Sequence, residues 1–112
     1  MIANPPEVKL ELPIEKVASF CQRWGIVRLD IFGSVLREDF RPDSDVDFLF
    51  TPGPHFKRDK VYGAWARNYM AEELARIVGR KVDIIDRRRV EQMENWIKRR
   101  HILQTAVPIY VD

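Results

Sequence analysis

Asp45 and Asp47 stand one residue apart in the run Asp45-Val46-Asp47-Phe48-Leu49-Phe50. A strand sends alternate side chains to the same face, so both carboxylates project together. Like charges that close repel each other, and a cation removes the cost. Mg²⁺ takes oxygen ligands, usually one or two carboxylates completed by waters and substrate phosphates. An exposed strand face with two acids would show the same spacing, but Val46, Phe48 and Phe50 argue for a largely buried strand. Asp83 lies in a second apolar run, Val82-Asp83-Ile84-Ile85, where an acid needs a partner. If the two strands are neighbours, three carboxylates can gather around two metal ions. That arrangement suits in-line phosphoryl or nucleotidyl transfer: one ion holds a triphosphate and the other lowers the pKa of the attacking hydroxyl. Asp83 would be a ligand of that second ion or the proton acceptor. Asp86, at odd spacing, falls on the opposite face and is left out of the set.

Gly33-Ser34 ends a strand pattern and opens a possible helix. Glycine lets a ligand approach the backbone, the first amides of a helix are unpaired donors, and the helix dipole favours an anion. Ser34 adds a hydroxyl. The pair reads either as a phosphate cradle or as an ordinary tight turn.

The elements that must position these residues follow from the periodicity. Ile14, Val17, Ala18, Cys21 and Trp24 make one apolar helix face, opened by Pro13 and stopped by Gly25. Residues 26–32 alternate as a strand. Residues 35–39 suit a short helix and 40–44 a loop, followed by a strand over 45–50. A long helix carries the stripe Val61, Trp65, Tyr69, Ala71, Leu74, Ala75 and Val78 and ends at Gly79. Residues 81–86 form a third strand. A basic helix over about 90–104 turns Val90, Met93, Ile97 and Ile102 inward, and 106–111 is an extended tail. The order predicts an α+β (α/β) fold with a small mixed β-sheet flanked by helices.

The chain has 112 residues, enough for one domain over 1–112. At 46% hydrophobic and 32% charged, it is neither a disordered polar chain nor a membrane span. The N-terminus shows no secretory pattern, and Cys21 alone forms no internal disulfide, so a cytoplasmic protein is expected. Cys21 sits on the apolar helix face and reads as core. The net charge of +2 is too small for a dedicated nucleic-acid binder. Its distribution is uneven: from Arg76 onward there are 9 Lys/Arg and 5 Asp/Glu, net +4, which leaves −2 before it. Arg87-Arg88-Arg89 and Lys98-Arg99-Arg100 could meet an acidic protein face, a triphosphate or RNA, with a protein partner or plain solvation favoured. They carry no aromatic interleaving of the kind that single-strand binders use. His55 and His101 form no ligand set and read as surface residues.

Taken together, Gly33-Ser34, ten residues, then Asp45-Val46-Asp47 resembles the motif of the nucleotidyltransferase superfamily that shares its catalytic palm with DNA polymerase beta. The shortness of the chain points to its MNT-type minimal nucleotidyltransferases. Ser44 before Asp45 fits, as does Gly79-Arg80-Lys81-Val82-Asp83, which resembles the segment with the third acid. The likeness spans residues 12 to 111. Val35-Leu36 depart from the arginine and small residue common in relatives, while Arg37 keeps a frequent arginine. The resemblance implies a palm-like fold with Asp45, Asp47 and Asp83 as catalytic and metal-holding acids. It also implies nucleotide contacts from Gly33, Ser34, Arg37 and Ser44.

By the same resemblance the expected reaction is a Mg²⁺-dependent transfer of AMP from ATP, with two ions and release of pyrophosphate. Many MNT proteins are antitoxins that adenylylate a tyrosine on a HEPN-domain RNase toxin. The chain has no added domain to hold a small acceptor, which favours a protein acceptor. Phe56, Tyr62 and Trp65 could offer it an aromatic patch, although Trp65 reads better as core. The competing readings are a catalytically silent antitoxin that acts by binding alone, and a subunit that modifies a small-molecule or RNA acceptor.

Overall fold

The structure is a computed structural model and describes residues 2–56 and 65–112. In chain order the elements are α1 (Ile14–Trp24), β1 (Ile26–Phe32), a single 3₁₀ turn (Gly33–Leu36), β2 (Val46–Pro52), α2 (Ala66–Val78), β3 (Val82–Asp86), α3 (Arg87–Glu91), α4 (Trp96–Thr105) and β4 (Val107–Val111). The four strands form one sheet in the order β3-β2-β1-β4. β1 runs antiparallel to β2 and β4, while β2 and β3 are parallel and joined through α2. The sheet is therefore mixed and helix-flanked, an α+β fold.

Alternation assigns its two faces. Leu29 and Ile31 of β1, Val46, Phe48 and Phe50 of β2, and Ile84 of β3 point to one face, where Val17, Phe20, Cys21 and Trp24 of α1 and Ala66, Met70 and Leu74 of α2 complete the main core. Burial pushes the Cys21 thiol up to about 12, so it is inert. On the other face Leu49 packs with Val90 of α3 and Ile102 of α4, joined by Phe32, Ile85, Met93, Leu103 and Ala106. The acids Asp47 and Asp83 belong to this second face.

Four expectations change. The residues 35–39 do not form a helix; Gly33–Leu36 make one 3₁₀ turn and Arg37 is already extended. The helix expected over 90–104 is two helices, because Asn95 caps α4 by accepting from the Lys98 amide at 3.1 Å, which starts a new helix there. Ile97 then falls on the outer side of α4 and is 64% exposed. The stripe on α2 is rotated from the expected one: Ala66, Met70 and Leu74 are buried at i, i+4 spacing, whereas Trp65 is 66% exposed and Tyr69 50%. Val61 and Tyr62 lie outside the described residues. Phe56 is partly buried and packs against the core, 5.5 Å from the Phe50 ring and 6.5 Å from that of Trp24.

Candidate active site

Strand register brings two of the three predicted acids, Asp47 and Asp83, together. Phe32, the last residue of β1, pairs with Asp47, and Asp47 pairs across the parallel ladder with Asp83. Asp47 thus sits in the middle of a row, with the Gly33 turn after one neighbour and an acid on the other. Asp45 lies immediately before β2. Asp83 is not the buried acid that its apolar neighbours imply: β3 is an edge strand, Asp83 is exposed, and Ile84 faces the main core in its stead. The buried acid of that strand is Asp86, which caps α3 by accepting from the Arg88 amide at 2.8 Å and holds the Arg88 guanidinium at 2.7 Å.

Electrostatics single out Asp47. Its pKa is pushed up to about 6, first by burial, then by the negative charges of Asp83 and Asp45, while Arg37 pulls it back. Asp47 is therefore a partly desolvated carboxylate with two acids bearing on it, which a divalent cation would stabilise. The donor set is all oxygen, as a hard cation requires. Among the described residues no three acidic, histidine or cysteine side chains converge closely enough to hold one ion as they stand. Mg²⁺ needs fewer protein ligands than that, because waters and phosphates complete its shell.

Gly33 is required beside Asp47. Its φ is +84°, a left-handed conformation, and a Cβ at this position would run into the Asp47 carboxylate. With a single 3₁₀ turn after it, any cradle here rests on local amides and not on a helix dipole. The Ser34 hydroxyl donates to the Asp45 carbonyl at 3.4 Å, a long bond that leaves it available to a better acceptor. Arg37 contacts Asp39 at 3.1 Å on the surface. Ser44 closes its own turn: its Oγ accepts from the Arg41 amide at 3.0 Å, and its amide donates to the Arg41 carbonyl at 3.0 Å.

A cleft of about 400 Å³ opens beside Gly33 and Arg37 and runs to His101 and Thr105 on α4, with Glu7 and Val107 on its sides. Nothing in the spacing of residues places His101 there, since α4 reaches the cleft only through the tertiary fold. A second missed feature is Asp30, fully buried in β1. Its carboxylate takes the Arg28 guanidinium at 2.8 and 3.0 Å and that of Arg87 at 3.0 Å, while Arg87 also donates to Thr51 at 2.9 Å. Arg87 is thus occupied inside the molecule, while Arg88, paired with Asp86, stays on the surface.

Comparison with known proteins agrees with this geometry. Residues 14–107 match the nucleotidyltransferase domain family. No curated protein matches the chain. A solved structure proposed to be a minimal nucleotidyltransferase is 32% identical, with 84% of this chain and 86% of that one covered and a TM-score of 0.59. A toxin–antitoxin structure with AMP-PNP superposes with a TM-score of 0.62 at 15% identity over 88% of this chain and 73% of that one. The MntA-HepT toxin–antitoxin structure gives 0.55 at 14% identity, covering 88% and 69%. At those identities the last two show the fold alone. With the family matched over most of its length and Asp47 paired with Asp83 in the sheet, the chain belongs to the nucleotidyltransferase domain family, among its minimal members.

Proposed function

We propose that this protein is an antitoxin that transfers AMP from ATP to a tyrosine of a cognate HEPN-domain RNase toxin, with Mg²⁺ as cofactor. The observation that carries the reading is the row Phe32–Asp47–Asp83, with Gly33 beside it and Asp45 just before it. Its neighbours of similar fold include toxin–antitoxin structures, one of them with AMP-PNP. Asp45 and Asp47 would hold Mg²⁺, which when bound neutralises triphosphate charge and acidifies the attacking hydroxyl. The Gly33-Ser34 turn lets the triphosphate approach the backbone, and Arg37 supplies a positive charge next to it. Asp83, exposed on the edge strand, is open to an acceptor arriving from outside and takes the hydroxyl proton. The hydroxyl oxygen bonds to the α-phosphorus, the bond to the bridging oxygen breaks, and pyrophosphate leaves with the electron pair.

Incubation with α-labelled ATP, Mg²⁺ and the product of the neighbouring gene tests the proposal. Label on a tyrosine of that protein, dependent on Mg²⁺ and on Asp47, is the expected result. Neutralisation of the partner without label would leave an antitoxin that acts by binding alone. Label on RNA or on a small molecule would replace the acceptor.

A further inference from the structure

Arg80 lies in the turn between α2 and β3, three residues before Asp83, and its guanidinium reaches the neighbouring loop that precedes β2. One Nη donates to the Arg41 carbonyl at 2.6 Å and to the Ser44 carbonyl at 3.0 Å. Its central carbon stands 4.5 Å from the centre of the Phe40 ring. The loop from Phe40 to Ser44 is thereby gripped at both ends and at its ring. Beyond this contact the same two segments are joined by the bond from the Val46 amide to the Lys81 carbonyl, 2.9 Å, which opens the parallel ladder. Asp45 lies between the gripped Ser44 and the paired Val46. Its carbonyl meets the Ser34 hydroxyl on the opposite side.

We infer that Arg80 is a positioning residue of the proposed metal site, fixing the loop Phe40–Ser44 so that the Asp45 carboxylate is presented beside Asp47. This rests on the proposed function. The reason is geometric. Asp45 precedes the strand and so lacks the ladder that fixes Asp47; its backbone direction is set by the loop before it. Two carbonyls bound to one nitrogen of a guanidinium that also lies over an aromatic ring hold that loop, and lysine would lose the planar contact with the ring. Since Arg80 belongs to the approach to β3, the same grip couples the loop of the first acid to the strand of the third.

Mn²⁺ binding without nucleotide, followed by electron paramagnetic resonance of the free ion, reads the effect apart from catalysis. In Arg80→Ala that is folded by circular dichroism, Mn²⁺ affinity should fall about tenfold, the equivalent of one charge-assisted hydrogen bond. The Mg²⁺ concentration for half-maximal transfer should rise by a similar factor, with the rate at saturating Mg²⁺ nearly retained. Arg80→Lys should lie between Arg80→Ala and the natural protein. Wild-type Mn²⁺ affinity in folded Arg80→Ala overturns the role of Arg80 and leaves the proposed function standing. Should Arg80→Ala not fold, Arg80→Lys decides: weaker Mn²⁺ binding supports the role, and wild-type affinity overturns it. Failure of the natural protein itself to bind Mn²⁺ in a manner lost in Asp47→Asn overturns both.

Discussion

Asp47 is held where its charge is costly, between Asp45 and Asp83 and partly out of water. Its folded pKa, about 6, lies above the ordinary value for an aspartate, so the sign of the pH effect is fixed. In metal-free protein the stabilising contribution is complete below about pH 4 and is lost as pH rises through about 6. Asp47→Asn removes that loss. The variant should melt higher than the natural protein at pH 8 by the equivalent of about 1 kcal/mol, a value reduced for the solvent screening of a half-exposed group. At pH 4 the difference should vanish. Thermal melts at both pH values in EDTA check this, and added Mg²⁺ should raise the melting temperature of the natural protein alone. The same substitution should abolish nucleotide transfer. At Gly33 the left-handed φ and the nearby Asp47 carboxylate act together. Gly33→Ala should lose about 1–2 kcal/mol from backbone strain alone, and ATP affinity by calorimetry should fall as the carboxylate is displaced.

At the scale of elements, the second face of the sheet depends on a buried ion cluster. Asp30 in β1 binds Arg87 at the start of α3, and Arg87 binds Thr51 at the end of β2. This ties the short α3 to the two central strands and so seats α4, which has few buried side chains of its own. Asp30→Ala leaves two arginines without their carboxylate and should cost about 3 kcal/mol in urea denaturation, as for a broken buried pair. Asp30→Asn keeps the shape and one acceptor and should lose less. Sequence periodicity does not show this cluster: Arg28 and Asp30 fit an alternating strand as solvent-facing residues, and only α3 and α4, folded over that face, bury the acid. The same cause explains the break between α3 and α4. The hydropathy of residues 90–104 continues through it, but Asn95 supplies a cap that propensity alone does not weigh against a longer helix.

Across the whole molecule, the site exists because β3 returns parallel to β2 and in the register that aligns Asp83 with Asp47. Asp83→Asn should therefore slow AMP transfer far more than it weakens ATP binding, measured on one purified sample. A normal rate with normal affinity would leave a centre of two carboxylates. What the residues determined by themselves was local. The period of two set the direction of Asp47 within its strand, the apolar runs marked the first three strands while 106–111 read only as an extended tail, and Gly33-Ser34 marked the turn after β1. Only the tertiary structure decided which strands are neighbours, that Asp83 is exposed and Asp86 buried, that Asp30 and Arg87 close a hidden ion pair, and that Arg80 grips the loop before Asp45. The reason is physical: periodicity fixes the direction of a side chain relative to its own element, whereas burial and charge pairing depend on which element folds over it.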